Sequence, residues 1–244
     1  MPARSDSHTD TVSSRYQQLL ATVRELEKRY QRAPGSVGVL AVSKTHGVDL
    51  LREAWQAGVR DFGENYVQEA LPKIQELSSA GSSTPGIAWH FIGPIQSNKT
   101  RDIAGCFDWV HSVDRIKIVQ RLQDQRPDHL PPLNVCIQIN VSNEQTKSGT
   151  GLAQARELCA AVSAMDRLRL RGLMAIPAPC DDHEQQRAAF RPLATLFREL
   201  QQEFPAMDTL SMGMSNDYPA AIAEGATLLR LGSLLFGARS PKTG

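Results

Sequence analysis

Apolar positions along this chain follow two periods in alternation. Val37, Val39, Leu40, Ala41 and Val42 make a nearly continuous apolar run, which is how a strand buried on both faces reads. The run stops at Ser43, Lys44 and Thr45, and residues 49–58 continue with helical spacing up to Gly58. The same strand-then-helix unit then returns down the chain. Further strands are predicted over residues 59–63, 87–92, 109–113, 134–141, 170–176, 209–213 and 227–231. Between them the spacing predicts a helix carrying Tyr66, Val67, Ala70, Leu71, Ile74 and Leu77, and others over 98–105, 116–122 (capped by Asp114), 152–164, 183–204 and 217–224.

One more helix precedes the first strand, over residues 12–31, with Leu19, Leu20, Val23, Leu26 and Tyr30 as its apolar stripe. Residues 1–10 read as a disordered N-terminus and 78–86 as a flexible surface loop. Strands alternating with helices imply parallel pairing and right-handed crossovers. Eight such units with no linker suit an α/β fold, a single (β/α)8 TIM barrel over residues 11–240, its additional N-terminal helix covering the bottom or outer wall. The rival is an open doubly wound sheet, weakened because no G-x-G-x-x-G follows the first strand.

Composition narrows the partners. The 244 residues carry 27 basic and 26 acidic side chains, a formal charge of +1. That balance argues against broad attraction to nucleic acid or to a membrane surface. Cys106, Cys136, Cys159 and Cys180 are scattered, with no C-x-x-C; Cys136 and Cys159 fall in apolar patterns and read as buried thiols of a reducing compartment. No apolar run approaches transmembrane length, and the first ten residues are polar. A cytoplasmic location follows as the expectation. His46, His90 and His111 fall on different units without coordinating partners, so no metal site is expected.

Chemistry in a barrel belongs to the carboxyl ends of its strands. Those ends carry Lys44, Asn65 after Glu64, His90, His111, Asn140, the run from Ser211 to Ser215, and Arg230 to Ser233. Each has a plainer reading as a packed or loop-anchoring group. Glycine and serine at both of the last two ends, Gly213 with Ser211 and Ser215, then Gly232 with Ser233, suggest a nest of backbone N–H groups for a phosphate. Ser215 is a natural cap for a helix starting near Asn216, with Pro219 in its first turn. A lysine at one strand end and a phosphate nest several strands away fit pyridoxal 5′-phosphate, the aldehyde bonded to Lys44 and the phosphate in the nest. A sugar-phosphate aldolase would offer a similar layout.

Six stretches carry a resemblance: A-V-S-K-T ending at Thr45, F-G-E-N-Y ending at Tyr66, W-H-F-I-G-P-I-Q-S-N-K ending at Lys99, R-L-R-G-L-M-A-I-P ending at Pro177, L-S-M-G-M-S ending at Ser215 and R-L-G-S-L-L-F-G ending at Gly237. Together, over residues 37–239, the chain closely resembles the pyridoxal-phosphate homeostasis proteins (the YggS/PROSC family), whose barrel is similar to the N-terminal domain of alanine racemase. The resemblance implies a Schiff base at Lys44, Arg230 near the pyridine nitrogen, Ser211, Gly232, Ser233 and Ser215 around the phosphate, and Asn65 and His90 lining the pocket near the ring. It implies a non-enzymatic protein that buffers or carries the cofactor in vitamin B6 homeostasis, with apo forms of pyridoxal-phosphate enzymes as possible recipients. An arginine can only donate a hydrogen bond, which disfavours a protonated ring nitrogen. A second domain supplying a catalytic tyrosine is not expected after the barrel, and a monomer is expected. The alternatives are a pyridoxal-phosphate-dependent amino-acid racemase or lyase, and a barrel that works by protein docking with the cofactor only structural.

Overall fold

The last strand meets the first, and the barrel closes. In this computed structural model, which describes residues 11–78, 84, 86–141 and 149–237, eight parallel strands pair in chain order: β1 (Gly38–Val42), β2 (Asp61–Glu64), β3 (Ala88–Phe91), β4 (Trp109–Val113), β5 (Leu133–Gln138), β6 (Leu168–Met174), β7 (Thr209–Ser211) and β8 (Leu228–Leu231). The closing seam sets Leu40 beside Arg230 and Ala41 beside Leu231. The alternating pattern thus yields the closed barrel it predicts. The disorder expected at 1–10, and most of the loop expected over 78–86, lie outside the described residues.

The wall around the strands consists of α2 (Val48–Gln56), α3 (Val67–Ser78), α4 (Thr100–Cys106, entered through a 3₁₀ turn at Ser97–Lys99), α5 (Ile116–Gln125), α6 (Leu152–Ser163), α7 (His183–Glu203), α8 (Tyr218–Ala223) and α9 (Ser233–Phe236). Their inward stripes, such as Leu51 and Ala54, Ile118 and Leu122, or Phe190, Leu193 and Phe197, bury against the outer face of the strands.

The added N-terminal helix, α1 (Val12–Arg29), lies on the outer wall, packed on α2, α8 and α9. Thr11 caps it by accepting from the Ser14 N–H, and Lys28 and Arg29 sit in its last turn, where the helix dipole favours cations. Glu27 lies on the same face as Val23 and is buried. Its carboxylate accepts from the N–H groups of Gly35 (2.9 Å) and Val37 (2.8 Å) and so ties the helix to the start of β1. At the other end of α1, Arg15 donates to the Leu235 carbonyl of α9.

Two local expectations fail for stated reasons. Asp114 does not cap α5: its carboxylate is held by Arg115 at 2.6 Å, and Arg115 occupies the cap position without a side-chain cap bond. Tyr66 belongs to no apolar stripe, because α3 starts one residue later and leaves its side chain 54% exposed. Cys136 and Cys159 are buried as expected; burial pushes both thiols up, Cys159 to about 12.

Candidate functional site

Lys44 sits two residues beyond β1, in a tight turn that the chain makes by placing Thr45 at φ 68°. That left-handed region is unusual for a β-branched residue. The Thr45 N–H donates to Glu69 of α3 (3.2 Å). Beneath the turn lies a buried polar knot. The Ser43 hydroxyl donates to Glu64 Oε1 (2.6 Å), and Lys73 Nζ donates both to that oxygen (2.7 Å) and to the Ser43 carbonyl (3.0 Å). Burial raises the Glu64 pKa, while the charge and hydrogen bond of Lys73 and the Ser43 hydroxyl oppose the rise. The two lysines therefore differ in kind. Lys73 is enclosed against a carboxylate, whereas Lys44 lines a cavity of about 340 Å³ at the carboxyl ends of the strands.

That volume falls in the range of small-molecule pockets. Lys44 and His46 approach from β1, with the His46 ring against Phe236 of α9 (centroids 4.7 Å apart). Asn65 enters from β2, and its side-chain oxygen is buried with no hydrogen-bond partner. Next to β1 across the closing seam, Ser215 after β7 and Gly232 and Ser233 after β8 share one wall, the two hydroxyls 3.0 Å apart. Gly232 runs close against β1: a Cβ there would lie 3.2 Å from the Val42 carbonyl oxygen. Gly213 adopts φ +94°, and a Cβ on it would come within 2.6 Å of the Ala221 Cβ. Ser215 is not the helix cap, since Asp217 precedes α8 and its carboxylate takes the Met214 N–H (2.6 Å).

Arg230 also lines the cavity although its side chain is almost wholly buried. Nη1 donates to the Ser211 carbonyl (2.7 Å) and hydroxyl (2.9 Å), and Nη2 donates to the Ala175 carbonyl (2.9 Å). Three of the five guanidinium donors are thus placed, leaving Nε–H and one Nη2–H. Burial pushes its pKa down to about 10, with Asp217 opposing, so it remains a cation at neutral pH.

Ser211 and His90 do not line this cavity. Ser211 lies directly behind the Arg230 guanidinium, fully buried, and His90 is deeper in the barrel, bonded to His111 and Asp61. Of the residues expected from sequence, Lys44, Asn65, Ser215, Arg230, Gly232 and Ser233 meet at one cavity. Sequence reasoning missed the segment after β6, where Ile176, Pro177, Pro179 and Cys180 form a further wall. Lys73 was missed as well, although it falls between Ala70 and Leu77 on the buried stripe of α3.

The sequence matches the family described as alanine racemase, N-terminal domain, over residues 15–240. Fold and site therefore define a barrel of the alanine-racemase type. The pyridoxal phosphate homeostasis protein of Pseudomonas aeruginosa is 54% identical over 229 residues, 94% of this chain and 96% of that protein. The structure of PipY from Synechococcus elongatus, with pyridoxal phosphate bound, aligns with a TM-score of 0.79 at 36% identity, covering 93% of this chain and 100% of PipY. This chain belongs to the pyridoxal phosphate homeostasis protein family, which is named for a homeostatic role and not for a reaction. Alanine racemase from Corynebacterium glutamicum shares the fold (TM-score 0.61) at 16% identity, and this chain spans 63% of its length.

Proposed function

We propose that this protein binds pyridoxal 5′-phosphate through a covalent bond to Lys44, and that it maintains vitamin B6 balance by holding and releasing the cofactor, with no substrate of its own. The observation that carries this reading is a single cavity lined by a lysine, a donor-only arginine and a glycine-serine wall. The residues fit the group. Lys44 offers an amine to the aldehyde, and the partnerless Asn65 oxygen awaits a donor. Gly232 leaves open backbone where a side chain would intrude, and the Ser215 and Ser233 hydroxyls stand ready for phosphate oxygens. When bound, the cofactor supplies an electrophilic aldehyde and an electron-accepting ring.

Arg230 is the proposed neighbour of the ring nitrogen. It can give a hydrogen bond but not take a proton from the ring, so it withholds the carboxylate partner that exploits the ring as an electron sink. The recipients are proposed to be apo forms of enzymes that use the same cofactor. Among the described residues, no helix is long and apolar enough to cross a membrane. The test is a visible absorption spectrum of the protein loaded with pyridoxal 5′-phosphate, then borohydride reduction and peptide mass mapping. A pyridoxyl group on Lys44 is expected. Modification confined to other lysines, or none, overturns the reading.

A further inference from the structure

The interior of this barrel is not wholly apolar. His111 on β4 and Ser211 on β7 are joined by a 2.9 Å bond from Nδ1 to Oγ. β4 pairs with β3 and β5, and β7 with β6 and β8, so this bond crosses the lumen. On one side Ser211 meets Arg230. On the other, His111 Nε2 lies 2.9 Å from His90 Nδ1, and His90 Nε2 lies 3.0 Å from Asp61 Oδ1 at the start of β2. The Asp61 side chain is 44% exposed at the opposite mouth.

Elementary donor bookkeeping fixes where the protons sit. A guanidinium has no acceptor, so the Ser211 oxygen takes a hydrogen from Arg230 and must direct its own elsewhere. The acceptor in reach is His111 Nδ1. A neutral imidazole accepting at Nδ1 carries its proton on Nε2, which then donates to His90 Nδ1. His90 in turn carries its proton on Nε2, aimed at Asp61. Every bond points the same way, from cation to carboxylate. In the reverse tautomer the Ser211 oxygen would accept twice, its hydroxyl hydrogen would lack this acceptor, and a neutral His90 would turn a lone pair on Asp61. Full burial holds His111 well below the usual imidazole range, and the neighbouring His90 and Arg230 push the same way. His90 is otherwise faced by the Trp109 ring, stacked at 5.2 Å, on whose other contacts Arg171 lies over the indole.

We propose that Ser211, His111, His90 and Asp61 form a directed hydrogen-bond chain that positions Arg230, making Asp61 at the far mouth its remote counter-charge across the barrel. The inference rests on the proposed cofactor reading, since it takes Arg230 as the ring's neighbour. Ser211 and the two histidines are positioning residues: they touch Arg230 or one another, and not the cavity.

The closing experiment has two arms. In protein without added cofactor, nitrogen-15 NMR of the imidazoles is expected to find His90 and His111 protonated at Nε2 alone, with His111 unchanged over about pH 6–8, where an ordinary histidine titrates. A His111 proton on Nδ1 overturns the chain whatever the cofactor does. In the second arm, His111→Phe, His111→Gln and Ser211→Ala are compared with the parent for pyridoxal 5′-phosphate affinity and absorption maximum. His111→Phe and Ser211→Ala are expected to weaken binding about tenfold, the scale of one lost hydrogen bond, and to move the absorption band. His111→Gln, which keeps one donor and one acceptor, is expected to restore most of both. Equal affinity and spectrum in Phe, Gln and parent overturn the positioning role. Failure of the parent to bind the cofactor sinks the cofactor reading instead, and the NMR arm still judges the chain.

Discussion

Lys73 and Lys44 flank the same turn, yet only one of them faces the cavity: Lys73 Nζ is fixed between Glu64 and the Ser43 carbonyl, and Lys44 projects from the other side. A nucleophilic amine needs access to its electrophile and a neutral fraction. A lysine enclosed and bonded at 2.7 Å to a buried carboxylate offers no such access. The pair therefore divides the labour, one lysine setting the turn and the other standing on it.

Lys44→Ala is expected to abolish borohydride trapping of pyridoxal 5′-phosphate while leaving the fold intact, because Lys44 is only partly buried and outside the apolar core. Mass mapping and circular dichroism check both halves. A trapped adduct on Lys73 in the parent would reverse the division of roles.

Lys73→Met is expected to behave oppositely, destabilising the protein by about 3–5 kcal/mol, the usual cost of stripping one partner from a buried ion pair. Burial already raises the Glu64 pKa, and removing Lys73 takes away the main opposition, so it climbs further. A carboxyl whose folded pKa exceeds its unfolded value loses stability as pH rises from the unfolded value through the folded one. The deficit of Lys73→Met is therefore greatest above that window and shrinks on acidification, when Glu64 becomes neutral. Urea titrations at several pH values read this directly; a deficit independent of pH would contradict it.

The proposed phosphate wall predicts that pyridoxal 5′-phosphate binds roughly a hundredfold tighter than pyridoxal, a net ~3 kcal/mol after desolvation offsets several charge-assisted hydrogen bonds. Gly232→Val is expected to hurt more than Ser233→Ala. Its side chain would press on the Val42 carbonyl as well as on the ligand, whereas Ser233→Ala removes one hydroxyl. Equilibrium dialysis with both vitamers decides, and equal affinities would reduce Ser215, Gly232 and Ser233 to turn-forming roles.

Thr45 holds a left-handed conformation that asparagine tolerates far better. Thr45→Asn is expected to gain about 1 kcal/mol of stability by relieving backbone strain. The denaturation midpoint measures it, and a lowered midpoint would mean that the Thr45 side chain contributes more than its backbone costs.

The barrel was legible because strands covered on both faces leave uninterrupted apolar runs such as Val39–Val42 that few other structures produce. Boundaries were less so. The fifth strand was expected through residue 141, but the ladder ends at Gln138 and the chain turns to meet Thr150, with Asn140 N–H on its carbonyl. Caps at Asp114 and Ser215 were chosen by residue type, but the cap positions fall to Arg115 and Asp217, neither of which makes a side-chain cap bond, while the Asp114 and Asp217 carboxylates take Arg115 and the Met214 N–H instead. Lys44, Asn65, Arg230, Gly232 and Ser233 could be placed at strand ends from the pattern alone. What His90 and Ser211 touch could not. One polar residue in an apolar strand does not say whether it faces the mouth or the lumen, and the His111–Ser211 bond joins positions 100 residues apart.

The seam between β1 and β8 has a consequence for the nascent chain. Lys44 leaves the ribosome 186 residues ahead of Arg230 (230 − 44), and the register that sets Leu40 beside Arg230 exists only once the last strand has emerged. Pairings so distant in sequence form late. Until then, the lysine has neither the arginine nor the glycine-serine wall to hold a ligand beside it. On the proposed reading of the site, the assembled pocket for the cofactor therefore exists only in the completed chain.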